Sequence, residues 1–251
     1  MITEANVVTV GQLVRERPAR SRVFEMLNID YCCGGKLSLE DACRRRGVDP
    51  DEVRRRLAES DVQVDQYSDS YEQPIDADAM SLSELASHIE QTHHAYLKSE
   101  LPRLDRMTEK VARVHGDRDP RLHELRKAFE LFRDELIPHM MKEEMVLFPL
   151  VRTLELHQLS LSAKPFTPYF CGTVANPIRQ MEHEHDHAGL ALAAMRELTD
   201  EFMPPTWACD TYRAMLDGLA GLERDMHQHV HKENNILFPK AIDLETHLQD
   251  I

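Results

Sequence analysis

From Ser81 onward, apolar positions recur at helical spacing. Leu82, Leu85, Ile89, Leu97, Leu101 and Leu104 share one helical face, interrupted by Pro102, which is expected to kink the helix. A second helix is predicted from about Pro120 to Leu156, with Leu122, Leu125, Phe129, Phe132 and Leu136 on one face and Pro138 and Pro149 bending or ending it. A loop containing prolines and aromatics, about residues 157–174, leads to a third helix that runs to about Phe202. Pro204-Pro205 stops that helix, Thr206 is placed to cap the fourth, and the fourth continues to about Leu244. Four long helices with one irregular crossover predict an all-α four-helix bundle over residues 81–251.

The first 60 residues pattern differently, as several short helices. Thr9 followed by Gln12 fits a capping box, and Ser38 followed by Asp41 is a weaker form of one. Asp49-Pro50 is an N-cap followed by proline at the first helical position, with Glu52 placed to cap back. Between them Gly34-Gly35 breaks the helix that ends near Asn28. Residues 61–80 hold six acids, no Lys or Arg, and little apolar periodicity, so they are read as an acidic linker between the small N-terminal helical domain (1–60) and the bundle.

Composition narrows the chemistry. Only 9 of the 251 residues are Gly, which disfavours a turn-rich β fold or a Gly-rich phosphate loop. The net charge of −14 is divided unevenly: +1 on residues 1–60, −6 on the linker and −9 on the bundle. Such acidity makes nucleic acid or an anionic membrane a poor partner, and no apolar run approaches the ~20 residues needed to span a bilayer. The N-terminus lacks a basic stretch before its short apolar run, and the five cysteines are odd in number and scattered. Both point to reduced thiols in a cytoplasmic protein. All 14 histidines lie between His88 and His247, which directs attention to metal.

An internal repeat locates the chemistry. The segment from His139 to Pro149 (HMMKEEMVLFP) overlays the segment from His229 to Pro239 (HVHKENNILFP) with six of eleven positions identical. In each, a His and a Glu stand four residues apart, which puts both on one helical face, within reach of one metal or a pair. One such pair is ordinary on an amphipathic surface. Two copies in a matched Leu-Phe-Pro frame, each preceded by a histidine 45 or 44 residues upstream (His94 and His185), favour a metal centre. The predicted set is four imidazoles and two carboxylates, the latter from different helices and able to bridge two ions. That donor set suits iron or manganese better than zinc. The choice on two helices stays open at this level. His93 fits the Leu85–Ile89–Leu97 stripe slightly better than His94, and His183 and His187 are alternatives to His185. His227 and His231 point away from His229 and are expected to be exposed or to stand behind the ligands.

The motifs IDYCCGG, HMMKEE…LFP, EHEHDHAG, the Pro204–Cys209 stretch and HVHKENNILFP occur in that order over nearly the whole chain. With them the sequence resembles the Repair of Iron Centres family of iron–sulfur cluster repair di-iron proteins. The resemblance implies an ScdA-type N-terminal domain and a hemerythrin-like bundle. It also implies two non-heme iron ions in an oxo- and carboxylate-bridged centre. By it, the iron ligands fall on His94, His139, Glu143, His185, His229 and Glu233, with Glu143 and Glu233 bridging. It further implies damaged iron–sulfur proteins as partners and nitric oxide or dioxygen as small ligands, and it allows a homodimer. The crossover loop, with Phe166, Tyr169, Phe170 and Cys171, is longer than in compact members.

Cys32-Cys33, between Asp30-Tyr31 and Gly34-Gly35, supports two readings. The pair can be accessible thiols that transfer iron or sulfur or accept electrons, or small buried residues at a helix end. The resemblance, in which CCGG is a hallmark, favours the functional one. Cys43, Cys171 and Cys209 have no motif and are expected to be structural. Three functions fit the whole: cluster repair, a di-iron oxidoreductase acting on nitric oxide or peroxide, and an oxygen or nitric oxide carrier or sensor. A carrier has no need of a thiol domain.

Overall fold

The computed structural model describes residues 8–67, 75–159 and 172–249. Every regular element among them is helical, apart from one isolated antiparallel bridge between Thr9 and Ser38. By packing they form two units, one drawn from residues 1–81 and 227–240, the other from 82–226 and 241–251.

The first unit begins with α1 (Val10–Glu16), where Thr9 and Gln12 form both halves of the expected capping box. A 3₁₀ turn (Pro18–Arg20) leads into α2 (Ser21–Met26), and Asn28 takes a left-handed φ of 52° that ends it. In α3 (Leu39–Arg46) Ser38 caps the Asp41 amide as expected, and Gly47 terminates the helix at φ 67°. Asp49 accepts from the Asp51 amide at the start of α4 (Pro50–Tyr67). Glu52 pairs with Arg55 and Arg56 instead of capping back. Because α4 runs to Tyr67, the opening of the acidic stretch is helical, and residues 68–74 lie outside the described ones. Val10, Val14, Val23, Phe24, Ile29, Tyr31, Cys43, Val53 and Leu57 form the core of this unit.

In the second unit, α5 (Leu82–Ile89) passes through a π-helical segment (Glu90–His94) into α6 (Ala95–His115). The second long helix is α7 (Arg121–Lys142), a π segment (Glu143–Leu147) and α8 (Phe148–Leu159). Pro102 and Pro138 lie inside their helices without ending them. The third is α9 (Ala175–Leu198); it stops short of Phe202 because Asp200, Glu201 and Phe202 all take positive φ. The fourth is α10 (Asp210–Lys232), a π segment (Glu233–Leu237) and α11 (Phe238–Gln249). It begins four residues after Thr206, since the Ala208 amide closes a turn onto the Pro205 carbonyl, so Thr206 is not its cap. Packing runs around a ring: α7 lies against both α6 and α9. Arg196 on α9 pairs with Glu223 on α10, and Asp225 on α10 pairs with His93 on the first helix. Phe129, Phe132, Leu136, Leu97, Leu101 and Leu104 fill the interior as the periodicity indicated. Each such side chain contributes roughly 1.5–3 kcal/mol by burial. Phe166, Tyr169, Phe170 and Cys171 of the crossover lie outside the described residues.

Candidate metal centre

Three of the four long helices change register where the repeat chemistry falls. His94 is the last residue of one π segment, and Glu143 and Glu233 are the first residues of the other two. There the amides of Ala95, Phe148 and Phe238 bond five residues back, to the carbonyls of Glu90, Glu143 and Glu233. Such a turn holds one residue more than an α turn and rotates the rest of the helix by about 100°. This is why the stripe through Ile89 is continued by His94 and not by His93, against the reading of a uniform 3.6-residue period.

The geometry centres on Glu143. Its Oε2 lies 3.3 Å from His94 Nε2 and its Oε1 3.3 Å from His139 Nε2, so each oxygen of one buried carboxylate faces a different imidazole. His185 Nε2 is 3.0 Å from His139 Nε2, and within α10 and its continuation His229 Nε2 is 3.1 Å from Glu233 Oε1. All six side chains are buried. Their donor atoms form two groups, each within 4.8 Å: His94, Glu143, His229, Glu233, and His139, Glu143, His185, Glu233. Both glutamates belong to both groups, and each group has its own two histidines. Two nitrogen ligands at about 2.1 Å and a right angle stand about 3 Å apart, the separation seen between His139 and His185. The imidazole–carboxylate set without thiolate fits a non-heme iron or similar cation.

The other ring nitrogens are held by a further pair of carboxylates. His94 Nδ1 is 2.8 Å from Glu144 Oε1, and His139 Nδ1 is 2.8 Å from Glu184 Oε2. Each carboxylate also receives a lysine, Lys98 on Glu144 and Lys142 on Glu184. Burial pushes both carboxyls up, but the Lys, His and, for Glu184, Gln180 hydrogen bonds outweigh it. Glu144 is held below the usual range and Glu184 falls to about 2. Two carboxylates fix the tautomer that leaves Nε2 lone pairs aimed inward, the usual arrangement behind metal-ligating histidine. Sequence reasoning missed both residues. The available signal was their position, one residue after Glu143 and one before His185, each with a lysine close to one of the clustered histidines.

The remaining histidines divide. His93 is buried against Asp225 at 2.8 Å. His183 and His187 are exposed, with their ring centroids 4.3 Å apart. Of the two alternatives expected for His231, exposure does not hold, since the residue is buried. It packs edge-on to the Tyr31 ring, its Nδ1 is 3.4 Å from the Tyr31 carbonyl oxygen, and burial lowers its pKa to about 4. His227 stands 6.1 Å from the same ring. Cys43 is buried, as expected for a structural residue, whereas Cys209 is exposed with His115 Nε2 at 3.3 Å.

Cys32 and Cys33 lie in the first unit, buried and half-buried respectively, with their sulfurs 4.0 Å apart. The loop that carries them is tied to the π segment of the fourth helix: Asn235 Nδ2 donates to the Cys32 carbonyl at 3.1 Å. Neither Gly34 nor Gly35 has a left-handed φ. Their role is clearance, because a Cβ on Gly35 would overlap the Asn235 carboxamide and one on Gly34 would press on Asp30.

Beside the bundle site, Phe132, Glu135, Leu136, His139, Glu184, His185 and Ala188 line a small recess open to solvent. Among the described residues no helix is long and apolar enough to cross a membrane.

Comparison with known proteins adds identity to this geometry. Residues 6–61 match the ScdA_N domain, described as a domain of unknown function, and residues 85–241 match the hemerythrin HHE cation-binding domain. Similar proteins include the iron–sulfur cluster repair protein YtfE of Edwardsiella ictaluri, 37% identical over 233 residues. The YtfE proteins of Musicola paradisiaca and Escherichia coli O81 are 36% and 35% identical over 234 and 235 residues. Each alignment covers 93% of this chain and 96% of the relative. With both domain matches in order and this extent of identity, the chain belongs to the YtfE group of the Repair of Iron Centres family.

Proposed function

We propose that this protein repairs iron–sulfur clusters damaged by nitric oxide or oxidative stress, using a di-iron centre in its bundle. The observation that carries the reading is the buried Glu143 carboxylate with one oxygen turned to His94 and the other to His139. In this reading His94 and His229 would hold one iron and His139 and His185 the other, with Glu143 and Glu233, which belong to both groups, available to both. Iron so held supplies redox and ligand-exchange chemistry and a store of metal for delivery. The six side chains are buried, so the site they would form excludes most water. Glu144 and Glu184 keep the Nδ1 protons on the outer side of His94 and His139, so the inner nitrogens stay available. The relatives named for cluster repair support damaged iron–sulfur proteins as partners. Cys32 and Cys33 are assigned the assisting thiols.

Three measurements test this. Purified protein should hold about two irons per chain with the absorption of an oxo-bridged pair. It should also restore activity to an iron–sulfur enzyme inactivated by nitric oxide. Glu143→Ala should abolish iron binding and restoration together; restoration at the wild-type rate by that variant would overturn the proposal.

The small recess beside His139 and His185 is compatible with a second reading, a di-iron oxidoreductase or carrier that admits nitric oxide, peroxide or dioxygen on that side. Ala188→Phe, which fills the opening, should then slow nitric oxide consumption several-fold at unchanged iron content. Equal rates would dismiss this route.

A further inference from the structure

Among the described residues, the proposed bundle centre leaves one group of metal-binding side chains unused. Asp30, Cys32 and Cys33 place a carboxylate oxygen and two sulfurs all within 4.8 Å of one another. We propose that these three residues form a separate binding site for a borderline-soft divalent cation of the Fe²⁺ and Zn²⁺ class.

The distances are those of tetrahedral ligands. With metal–sulfur bonds of about 2.3 Å and metal–oxygen bonds of about 2.0 Å, tetrahedral ligands stand roughly 3.8 Å apart for sulfur–sulfur and 3.5 Å for sulfur–oxygen. The sulfurs here are 4.0 Å apart, and Cys32 Sγ is 3.2 Å from Asp30 Oδ1. That sulfur separation is far beyond the ~2.05 Å of a disulfide, so the pair is arranged for a shared ligand and not for a mutual bond.

The carboxylate is also fixed in advance. Asp30 Oδ1 accepts the Cys32 amide at 2.9 Å and Oδ2 the Gly34 amide at 2.9 Å. The Cys32 thiol donates to the same Oδ1, so its proton occupies the line along which a cation would join sulfur to oxygen. Binding replaces that proton and the one on Cys33, and both leave to solvent as the two thiolates form. The backbone behind the site is pinned by Asn235 to the Cys32 carbonyl and by His231 to the Tyr31 carbonyl. Cys32 is buried, while Asp30 is exposed and Cys33 half-exposed, so an ion enters and leaves on one side. Three protein ligands leave a fourth position for an exchanging ligand.

The bundle donor set contains no sulfur, so a thiolate signal that depends on Cys32 and Cys33 reports this site and not the bundle. Co²⁺ titrated into the full reduced chain in a Cys171→Ser/Cys209→Ser background should give a thiolate-to-cobalt band in the near ultraviolet. It should saturate at one ion per chain and be lost in both Cys32→Ser and Cys33→Ser. Asp30→Asn, which keeps the shape of the carboxylate, should weaken Co²⁺ binding at least tenfold with helicity unchanged. If Cys32→Ser perturbs folding, Cys33→Ser decides, because that side chain is half-exposed. Absence of the band in the background protein would overturn the proposal, as would its survival in Cys33→Ser. Neither result touches the iron content of the bundle, so this site and the di-iron reading stand or fall separately.

Discussion

Glu144→Ala separates a metal-supporting role from a merely structural one. The substitution removes the carboxylate 2.8 Å from His94 Nδ1 and frees Lys98. Removing an outer hydrogen-bond partner of a metal-ligating histidine costs about 10–100-fold in affinity, or roughly 1.4–2.7 kcal/mol. The cost to the metal-free fold is smaller. Lys98 is 55% exposed, and an ion pair of that kind contributes at most about 1 kcal/mol. Glu144 is 25% exposed, so water replaces it at His94 Nδ1 once the side chain is gone. Chelator competition should therefore show iron affinity lowered 10–100-fold, while urea unfolding of the apo-protein shifts by about 1 kcal/mol or less. Glu144→Gln, which keeps an acceptor without the charge, should fall between Ala and wild type. Affinity within twofold of wild type would refute the assigned role. So would an apo-protein destabilised by more than about 3 kcal/mol, since that would make Glu144 a structural residue.

Glu233→Ala, like Glu143→Ala, should remove iron while circular dichroism stays close to wild type; iron retained in full would contradict bridging. Stripping iron from the wild-type protein should lower its melting temperature, and restoring free iron to a hundred times Kd should return about 2.7 kcal/mol of stability. Gly35→Ala should destabilise the chain by about 1–3 kcal/mol in denaturant melts because its Cβ overlaps Asn235. Asn235→Ala should recover part of that loss, and additive losses in the double variant would show that the two residues do not meet.

The helices and most of the site were legible because both rest on spacing. Apolar periodicity marked Phe129, Phe132 and Leu136 as core, and the repeated His-x₃-Glu frame marked four of the six clustered residues proposed as ligands from the residues alone. His94 was not legible from periodicity, because a π turn preserves composition while moving the face. Glu144 and Glu184 were hidden for another reason. A carboxylate on a charged helix looks the same in sequence whether it meets solvent or a histidine from another helix. The surroundings of His231 were left open between two alternatives because its burial depends on Tyr31, two hundred residues away, which no local pattern records. Thr206 failed as a cap because the turn after Pro205 uses the residues a helix start would need.

The three π turns also determine how this chain can tolerate changes in length. Deleting one residue within 90–94, 143–147 or 233–237 would give an unbroken α-helix with better backbone hydrogen bonds. It would also swing everything on one side of the cut by about 100° relative to the other, carrying a proposed ligand off its face. An ordinary surface helix absorbs such a deletion by sliding into a new register. Here the more regular helix would be the one without a centre. These three five-residue windows should therefore be far less permissive to single-residue insertion or deletion than the exposed turn at Gly47.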